Sequence, residues 1–227
     1  MSVHIQDEFA TEASSAIRVT GEGATAYLQG QLTQDVTSVA ETAWSLLLEP
    51  DGSVIVRLLV RRREDGFDLL VPQSLAESSL TRLRRFALRA RCEFALRDPV
   101  PGPWATLSDR LVAGAPGAGE FVAALPAQSY GARVIEDSVS FTKGCYTGQE
   151  LVARLDSRAA PVPWRLVRVR ARSLALAQAA LSRRGPEGPR GVTSAVSSHD
   201  GVLALGFAHR TLDPEDLGSE DVSVEFL

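Results

Sequence analysis

The chain has 227 residues, of which 44% are apolar and 23% are charged, a composition that excludes a disordered or fibrous protein. Its length allows one large domain or two modest ones, and its net charge of −4 gives no general reason to expect direct contact with nucleic acid. No stretch approaches the roughly 20 apolar residues of a membrane span, and the polar, acidic residues 1–8 do not resemble a signal peptide, so we predict a cytoplasmic protein with no membrane partner.

Residues 1–100 predict an α+β unit. The spacing of Tyr27, Leu28 and Leu32 predicts a helix over residues 21–34, and a second helix is expected over residues 74–86. Asp51-Gly52 favours a tight hairpin turn. Strands are expected at residues 16–20, 44–48, 54–60, 67–71 and 90–96. This order predicts a ferredoxin-like, split βαβ module with one extra strand.

The second half of the chain has a different composition. Residues 98–132 are rich in proline and glycine and predict irregular structure, and a further break at residues 159–163 predicts a boundary between domains 1–160 and 161–227. Residues 173–181 fit a strand or a short helix equally well. Strands are expected at residues 164–170, 191–197, 202–208 and 222–226. Together they predict a small C-terminal β-barrel or sandwich.

The cysteines, histidines and arginine runs limit the kinds of site. Cys92 and Cys145 cannot form a disulfide framework and lack metal-ligand spacing, and the three histidines are isolated, so no stably bound metal is expected. Cys92 lies in an apolar strand pattern typical of a space-filling residue. The run at 61–63 and the arginines between residues 82 and 91 are typical of solvated faces.

One segment combines residues that suit chemistry. Val139 and Phe141 predict a strand that leads in, and Thr147 with Glu150 matches a capping box for a helix that starts near residue 148. Cys145 would then lie just ahead of a helix N-terminus. Lys143, two residues earlier, would lie on the same side of an extended backbone. Both effects favour the thiolate, as a nucleophile, a transient ligand or a redox-active sulfur requires. Local chemistry alone favours the alternative, in which Cys145 fills space at a tight junction and Lys143 is merely exposed.

The run Lys143-Gly144-Cys145-Tyr146-Thr147-Gly148-Gln149-Glu150, followed by Val152-Ala153-Arg154, resembles the signature of the YgfZ family. That family is related to the aminomethyltransferase, or T protein, of the glycine cleavage system and to maturation factors for iron–sulfur proteins. Further similarity lies at residues 27–35, 83–90, 110–120, 191–194 and 204–206. The resemblance implies a shortened, aminomethyltransferase-like folate-binding fold and a role in assembling or repairing iron–sulfur clusters in client enzymes, with an indirect effect on tRNA modification.

The resemblance also implies roles for individual residues. Lys143 and Cys145 correspond to the functional lysine and cysteine of the family. The residues expected to bind tetrahydrofolate are Gly144, Tyr146, Gly148, Gln149, Glu150, Arg154, Gln31, Thr33, Asp35 and Arg110. The expected partners are therefore folate and iron–sulfur client enzymes.

Two departures from the family pattern leave other functions open. About 45 residues separate Arg97 from Lys143, fewer than in most family members, and Val112 stands where relatives often carry a carboxylate for the pterin ring. One alternative is a one-carbon or aminomethyl transferase that uses tetrahydrofolate, with Asp35 in place of its substrate-poising aspartate. Another is a non-catalytic binding module that has lost folate binding.

Overall fold

The computed structural model describes residues 5–7, 13–158, 160–182 and 188–227. Two five-stranded sheets and eight α-helices make up this part of the chain. The strands are β1 (Ile5–Asp7), β2 (Ser14–Thr20), β3 (Thr42–Leu48), β4 (Val54–Arg63), β5 (Gly66–Pro72), β6 (Glu93–Val100), β7 (Trp164–Ala171), β8 (Gly191–Ser198), β9 (Gly201–His209) and β10 (Val222–Phe226). The helices are α1 (Ala24–Gln31), α2 (Ala76–Arg85), α3 (Leu107–Val112), α4 (Ala118–Phe121), α5 (Ala132–Ser138), α6 (Gln149–Ser157), α7 (Leu174–Leu181) and α8 (Pro214–Leu217).

The first sheet has the order β3-β4-β5-β2-β6, and every neighbouring pair is antiparallel. The α+β class is confirmed, and each predicted strand and helix of residues 13–100 is present. The strand β2 lies between β5 and β6, which α2 connects, so one split βαβ connection is present. The strand β3, at the edge of the sheet, is the additional one. The complete ferredoxin-like arrangement stays a prediction.

The second sheet has the order β1-β8-β9-β7-β10, with a parallel pair at β1–β8 and antiparallel pairs elsewhere. The described strands form an open sheet whose edges are β1 and β10, so the prediction of a closed barrel is wrong. Residues 173–181, whose sequence fits a strand or a helix, contain the helix α7. Its N-cap is Ser173, whose hydroxyl accepts a hydrogen bond from the Leu176 amide. That bond is typical of a helix N-cap.

Residues 98–132 contain more regular structure than their composition predicts. The helix α3 begins with a capping box between Thr106 and Asp109, and α4 and a 3₁₀ turn at Ala127–Tyr130 follow it. The predicted strand through Val139 and Phe141 is absent from this described segment, because α5 ends at Ser138 and the chain then turns. The Phe141 side chain is exposed.

A continuous core joins the two sheets. The ring of Tyr130 lies 5.2 Å from Phe121 and 5.8 Å from Phe207 on β9, measured between centroids. Both sheets therefore contribute to one main apolar cluster, and the boundary between domains 1–160 and 161–227 remains a prediction. None of the helices in the described ranges combines the length and apolar character needed to cross a bilayer.

Candidate functional site

Cys145 lies on a surface turn between α5 and α6. Cys145 and its neighbour Gly144 are exposed, while Lys143 and Tyr146 on either side are buried. The turn therefore exposes its two central residues to solvent between two buried ones. The sulfur is accessible to a partner, which contradicts the alternative that Cys145 fills space.

Lys143 anchors the turn to the end of α1. Its Nζ donates hydrogen bonds to the backbone carbonyl oxygens of Gln29, Leu32 and Gln34, at 2.7, 2.8 and 2.9 Å. No hydrogen bond joins it to Cys145 within the described ranges. The ammonium thus satisfies carbonyl groups that the helix end leaves without intrahelical partners. The geometry gives Lys143 a positioning role, and its influence on the thiol stays a prediction.

The surroundings of Lys143 shift its acid–base behaviour. Burial lowers the pKa of Lys143 to about 8, and the nearby Asp35 carboxylate opposes this shift. The ammonium lies 5.3 Å from the centroid of the Tyr146 ring, a cation–π distance. Burial raises the pKa of Tyr146 to about 12, so its hydroxyl is neutral at physiological pH. Lys143 is the only lysine in the chain.

Gly148 anchors the other side of the turn. It is the N-cap of α6 in a left-handed conformation (φ +81°), and no side chain caps this helix, so the predicted capping box is wrong. A β-carbon added at Gly148 would lie 2.7 Å from the carbonyl oxygen of Glu49 and 3.0 Å from Cβ of Leu48. The Thr147 amide instead donates to the Gly30 carbonyl at the end of α1. Glycine is required here by both conformation and space.

Two predicted folate contacts, Thr33 and Gln31, lie at the end of α1 but already have partners. Thr33 is fully buried; its hydroxyl donates to the Ser138 carbonyl at 2.6 Å and accepts from the Leu46 amide at 2.8 Å. Gln31 accepts a hydrogen bond from Arg82 at 3.1 Å. These side chains hold the end of α1 against β3, α2 and α5.

Asp35, the candidate substrate-poising residue of a transferase, caps a local turn. Its carboxylate accepts from the amide and hydroxyl of Thr37 and from Nε2 of Gln29. The hydroxyl of Thr37 is the main cause that lowers the pKa of Asp35. This geometry is that of a capping aspartate.

The remaining predicted contacts divide into two places. Gln149, Glu150 and Arg154 lie on α6, where Gln149 is half-buried and the other two are exposed. Arg110 is remote from the turn in sequence and buried in α3, where it pairs with the fully buried Glu120 at 3.1 Å and donates to Ser194 on β8 at 3.1 Å. The structure thus does not bring all predicted folate contacts into one cavity.

A groove that the sequence analysis missed lies beside α5. We call it the tryptophan groove; its volume is about 300 Å³, and Trp44, Arg57, Trp104 and Arg133 form part of its lining. The two indole rings are stacked at 6.2 Å between centroids and 20° between planes, and the Arg57 guanidinium lies 4.3 Å from the Trp44 ring. Arg110 lines an adjoining narrow cleft with both tryptophans. Because Trp44 and Trp104 are far apart in the sequence, only the fold brings them together.

Ser138 connects the groove to the cysteine turn. Its hydroxyl accepts a hydrogen bond from Nε of Arg57 at 3.0 Å, and its carbonyl accepts from Thr33 at 2.6 Å. The neighbouring Asp137 pairs with Arg57 at 3.1 Å. The groove and the turn are therefore separate surfaces that share a hydrogen-bonded support.

The groove matches the chemistry of folate. Stacked indoles suit the pterin or aminobenzoate ring, and the guanidinium groups of Arg57 and Arg133 suit the glutamate carboxylates. When bound, tetrahydrofolate supplies a carrier for one-carbon groups. Among the described residues, no cluster of three His, Cys, Asp or Glu side chains could hold a metal ion.

Comparisons with known proteins agree on a relationship. An uncharacterized protein of Haemophilus influenzae is 29% identical over a match that covers 63% of this chain and 66% of that protein. The tRNA-modifying protein YgfZ of Edwardsiella ictaluri is 38% identical over 77 residues, which cover 33% of this chain and 23% of that protein. YgfZ of an Enterobacter species is 32% identical over 82 residues and 25% of its length. The matches thus span less than two thirds of these relatives, and no protein-family model matches the chain.

A crystal structure supplies the fold relationship. Aminomethyltransferase T of the glycine cleavage system from Bartonella henselae superposes with a TM-score of 0.54, over 90% of this chain and 80% of that one, at 15% sequence identity. At that identity the match establishes the fold and not the activity. Over about a third of its length the chain is similar to proteins named YgfZ, and it has the fold of the glycine cleavage T protein.

Proposed function

We propose that the chain is a cytoplasmic, folate-binding accessory protein that assists the assembly or repair of iron–sulfur clusters in client enzymes, and through them supports tRNA modification. Cys145 is its working thiol and tetrahydrofolate is its ligand. The observation that carries the proposal is the exposed thiol on a turn anchored on both sides, by Lys143 and by Gly148. A thiol that acts on a macromolecular client has to be accessible and held in place.

The relatives support the link to tRNA, since two of them, at 38% and 32% identity over 77 and 82 residues, are named tRNA-modifying proteins. The fold supports the link to folate, since the matched crystal structure is an aminomethyltransferase of glycine cleavage. We place folate in the tryptophan groove, with its ring system against Trp44 and Trp104 and its carboxylates toward Arg57 and Arg133. The groove volume of about 300 Å³ lies at the lower end of the usual range for small-molecule sites.

The role of Cys145 is tested by complementation of a bacterial strain that lacks its own YgfZ-like gene. Cys145→Ser should fail to restore iron–sulfur enzyme activity and tRNA thiolation. Cys92→Ser is the matched control, because Cys92 is partly buried against the core and burial raises the pKa of its thiol. Equal activity of Cys145→Ser and the wild type would disprove the role of this thiol.

The folate site is tested by intrinsic fluorescence. Two of the three tryptophans line the groove, while Trp164 is buried at the start of β7. Tetrahydrofolate should quench the fluorescence of the wild type and of Trp164→Phe. Trp44→Phe should weaken binding by about two- to tenfold, since stacking of an aromatic pair contributes about 0.5–1.5 kcal/mol beyond buried area and about 1.4 kcal/mol is tenfold. Calorimetry that detects binding unchanged by Trp44→Phe and Trp104→Phe would place the ligand elsewhere, and no binding at all would favour the folate-free binding module.

A further inference from the structure

Five exposed arginines form a basic surface at the end of α2, in the loop that follows and on β6. We call it the arginine surface, and it consists of Arg84, Arg85, Arg89, Arg91 and Arg97. With the buried Arg82, residues 82–97 hold six arginines and one acidic residue, Glu93, so this segment carries a net charge of +5 in a chain whose total is −4. Such a concentration of positive charge in an acidic protein indicates an anionic partner.

The other arginine run of the chain is used inside the protein. Arg62 donates to the carbonyl oxygens of Val36 and Val39, and Arg63 pairs with Asp68 at 2.6 Å. In the arginine surface, by contrast, only Arg91 forms an ion pair with a described residue, Glu22. Arg85, Arg89 and Arg97 form no ion pair within the described ranges, so their charges are available to a ligand.

The shape of the surface also suits a chain of phosphates. Arg89 and Arg91 line a hollow against the start of α1, where the loop approaches so closely that a β-carbon on Gly23 would lie 1.7 Å from the Ala90 carbonyl. Beside it the Phe86 ring, 41% exposed, lies 4.1 Å from the Arg82 guanidinium. Guanidinium groups pair with phosphate oxygens in a bidentate manner, and an exposed ring can stack on a base.

We propose that the arginine surface binds the phosphate backbone of tRNA, so that the chain contacts tRNA directly. The choice of tRNA over other polyanions rests on the proposed function. This departs from the expectation drawn from net charge alone, because that total conceals the local charge. The competing interpretation is that this loop docks a protein, with Leu88, which is 93% exposed, as an apolar anchor.

A short series of contacts connects the end of α2, which carries part of the arginine surface, to the cysteine turn. The Arg82 guanidinium contacts the Phe86 ring and donates a hydrogen bond to Gln31 Oε1 at 3.1 Å. The Thr147 hydroxyl lies 3.5 Å from that same oxygen. These contacts pass through the buried Arg82 and connect the end of α2 with the support of the cysteine turn.

The test is the binding of an unmodified tRNA transcript at several salt concentrations between about 50 and 200 mM. The variant Arg85→Ala/Arg89→Ala/Arg97→Ala should lose at least tenfold in affinity at the lowest salt. Its slope of log affinity against log salt should become shallower by about 2, since each lost phosphate contact removes about 0.7–0.9. The control Arg158→Ala/Arg170→Ala/Arg210→Ala changes the net charge equally at exposed sites elsewhere and should stay within twofold of the wild type.

Three results would overturn the inference. They are absence of tRNA binding by the wild type at low salt, an equal loss in the control variant, and a larger loss for Leu88→Ser than for the arginine variant. The last would show that the apolar loop, and not the arginine charges, dominates the contact with tRNA. Complementation that depends on Cys145, found together with no tRNA binding, would refute this inference and leave the proposed function intact.

Discussion

Replacing Lys143 with methionine tests whether this residue positions the cysteine turn. The substitution keeps the length and apolar stem of the side chain but removes the group that donates to three carbonyl oxygens, one of them, that of Leu32, at a buried position. A buried acceptor left without its partner costs about 1–3 kcal/mol, and the two part-buried carbonyls recover some hydration. We therefore expect Lys143→Met to lose about 2–4 kcal/mol at pH 7, which urea unfolding measures.

The pH dependence of this loss has a definite sign. The folded-state pKa of Lys143 is about 8, below its usual value of 10.5, so between these values the unfolded chain binds more protons than the folded one. Stability contributed by this group therefore rises as pH increases through that window. Between pH 7.5 and 9.5 the wild type should gain about 2 kcal/mol relative to Lys143→Met, because each pKa unit corresponds to about 1.4 kcal/mol.

The assay benefits from the composition of the chain. Because Lys143 is the only lysine, protein labelled with ¹³C-lysine gives a single Cε resonance whose titration reports this pKa directly. Lys143→Arg is the control, since arginine stays charged throughout the window. A pKa near 10.5, with parallel stability curves for the wild type and Lys143→Met, would show that the three carbonyls outweigh burial and would refute the reasoning.

Three further substitutions separate support from function. Gly148→Ala should destabilise the protein by about 1–3 kcal/mol, because Gly148 has a positive φ and the added carbon would lie 2.7 Å from the Glu49 carbonyl oxygen. The control Gly144→Ala, with no atom within 4 Å of the added carbon, should leave the urea midpoint nearly unchanged. Similar midpoints for the two variants would contradict this. Arg110→Met should lower the free energy of unfolding by about 3–5 kcal/mol, because it leaves Glu120 buried without its charge partner. The double variant Arg110→Met/Glu120→Gln should recover part of this loss. A double variant that is less stable than the single one in thermal unfolding would argue against a stabilising ion pair. Thr33→Val should lose about 2 kcal/mol with unchanged tetrahydrofolate affinity per folded molecule, since its hydroxyl bonds to the Ser138 carbonyl; a weaker affinity measured by calorimetry would restore Thr33 as a ligand contact.

Local patterns in the sequence predicted nine of the ten described strands, and only β1 (Ile5–Asp7) was not predicted. Residues 222–226 form β10 as expected, and the turn at Asp51-Gly52 connects β3 and β4. These features depend on alternation and turn chemistry within a few residues. Closure of the second sheet into a barrel was predicted wrongly, because closure depends on whether strands remote in sequence meet, and β1 and β10 remain at opposite edges.

Within the site, the prediction failed where distant residues compete with local ones. The capping box of Thr147 and Glu150 is a sound local pattern, but the Thr147 amide and hydroxyl are directed to the carbonyl of Gly30 instead. Lys143 appeared close to Cys145 because they are two residues apart. Its actual partners are carbonyls at the end of α1, and no pattern near residue 143 reveals them. The tryptophan groove was missed for the same reason.

The signature segment divides into a buried part and an exposed part. Lys143, Tyr146 and Gly148 are accounted for by folding, since each holds the turn against α1 or the β3–β4 hairpin or packs beneath it. The side chains of Cys145 and Arg154 are exposed and form no hydrogen bond or ion pair with any residue that the structure describes. Since folding does not require these exposed groups, they are available to contact something outside the chain. The fixed turn beneath them then has a purpose, because a rigid support lowers the entropy that a thiol loses on meeting a partner.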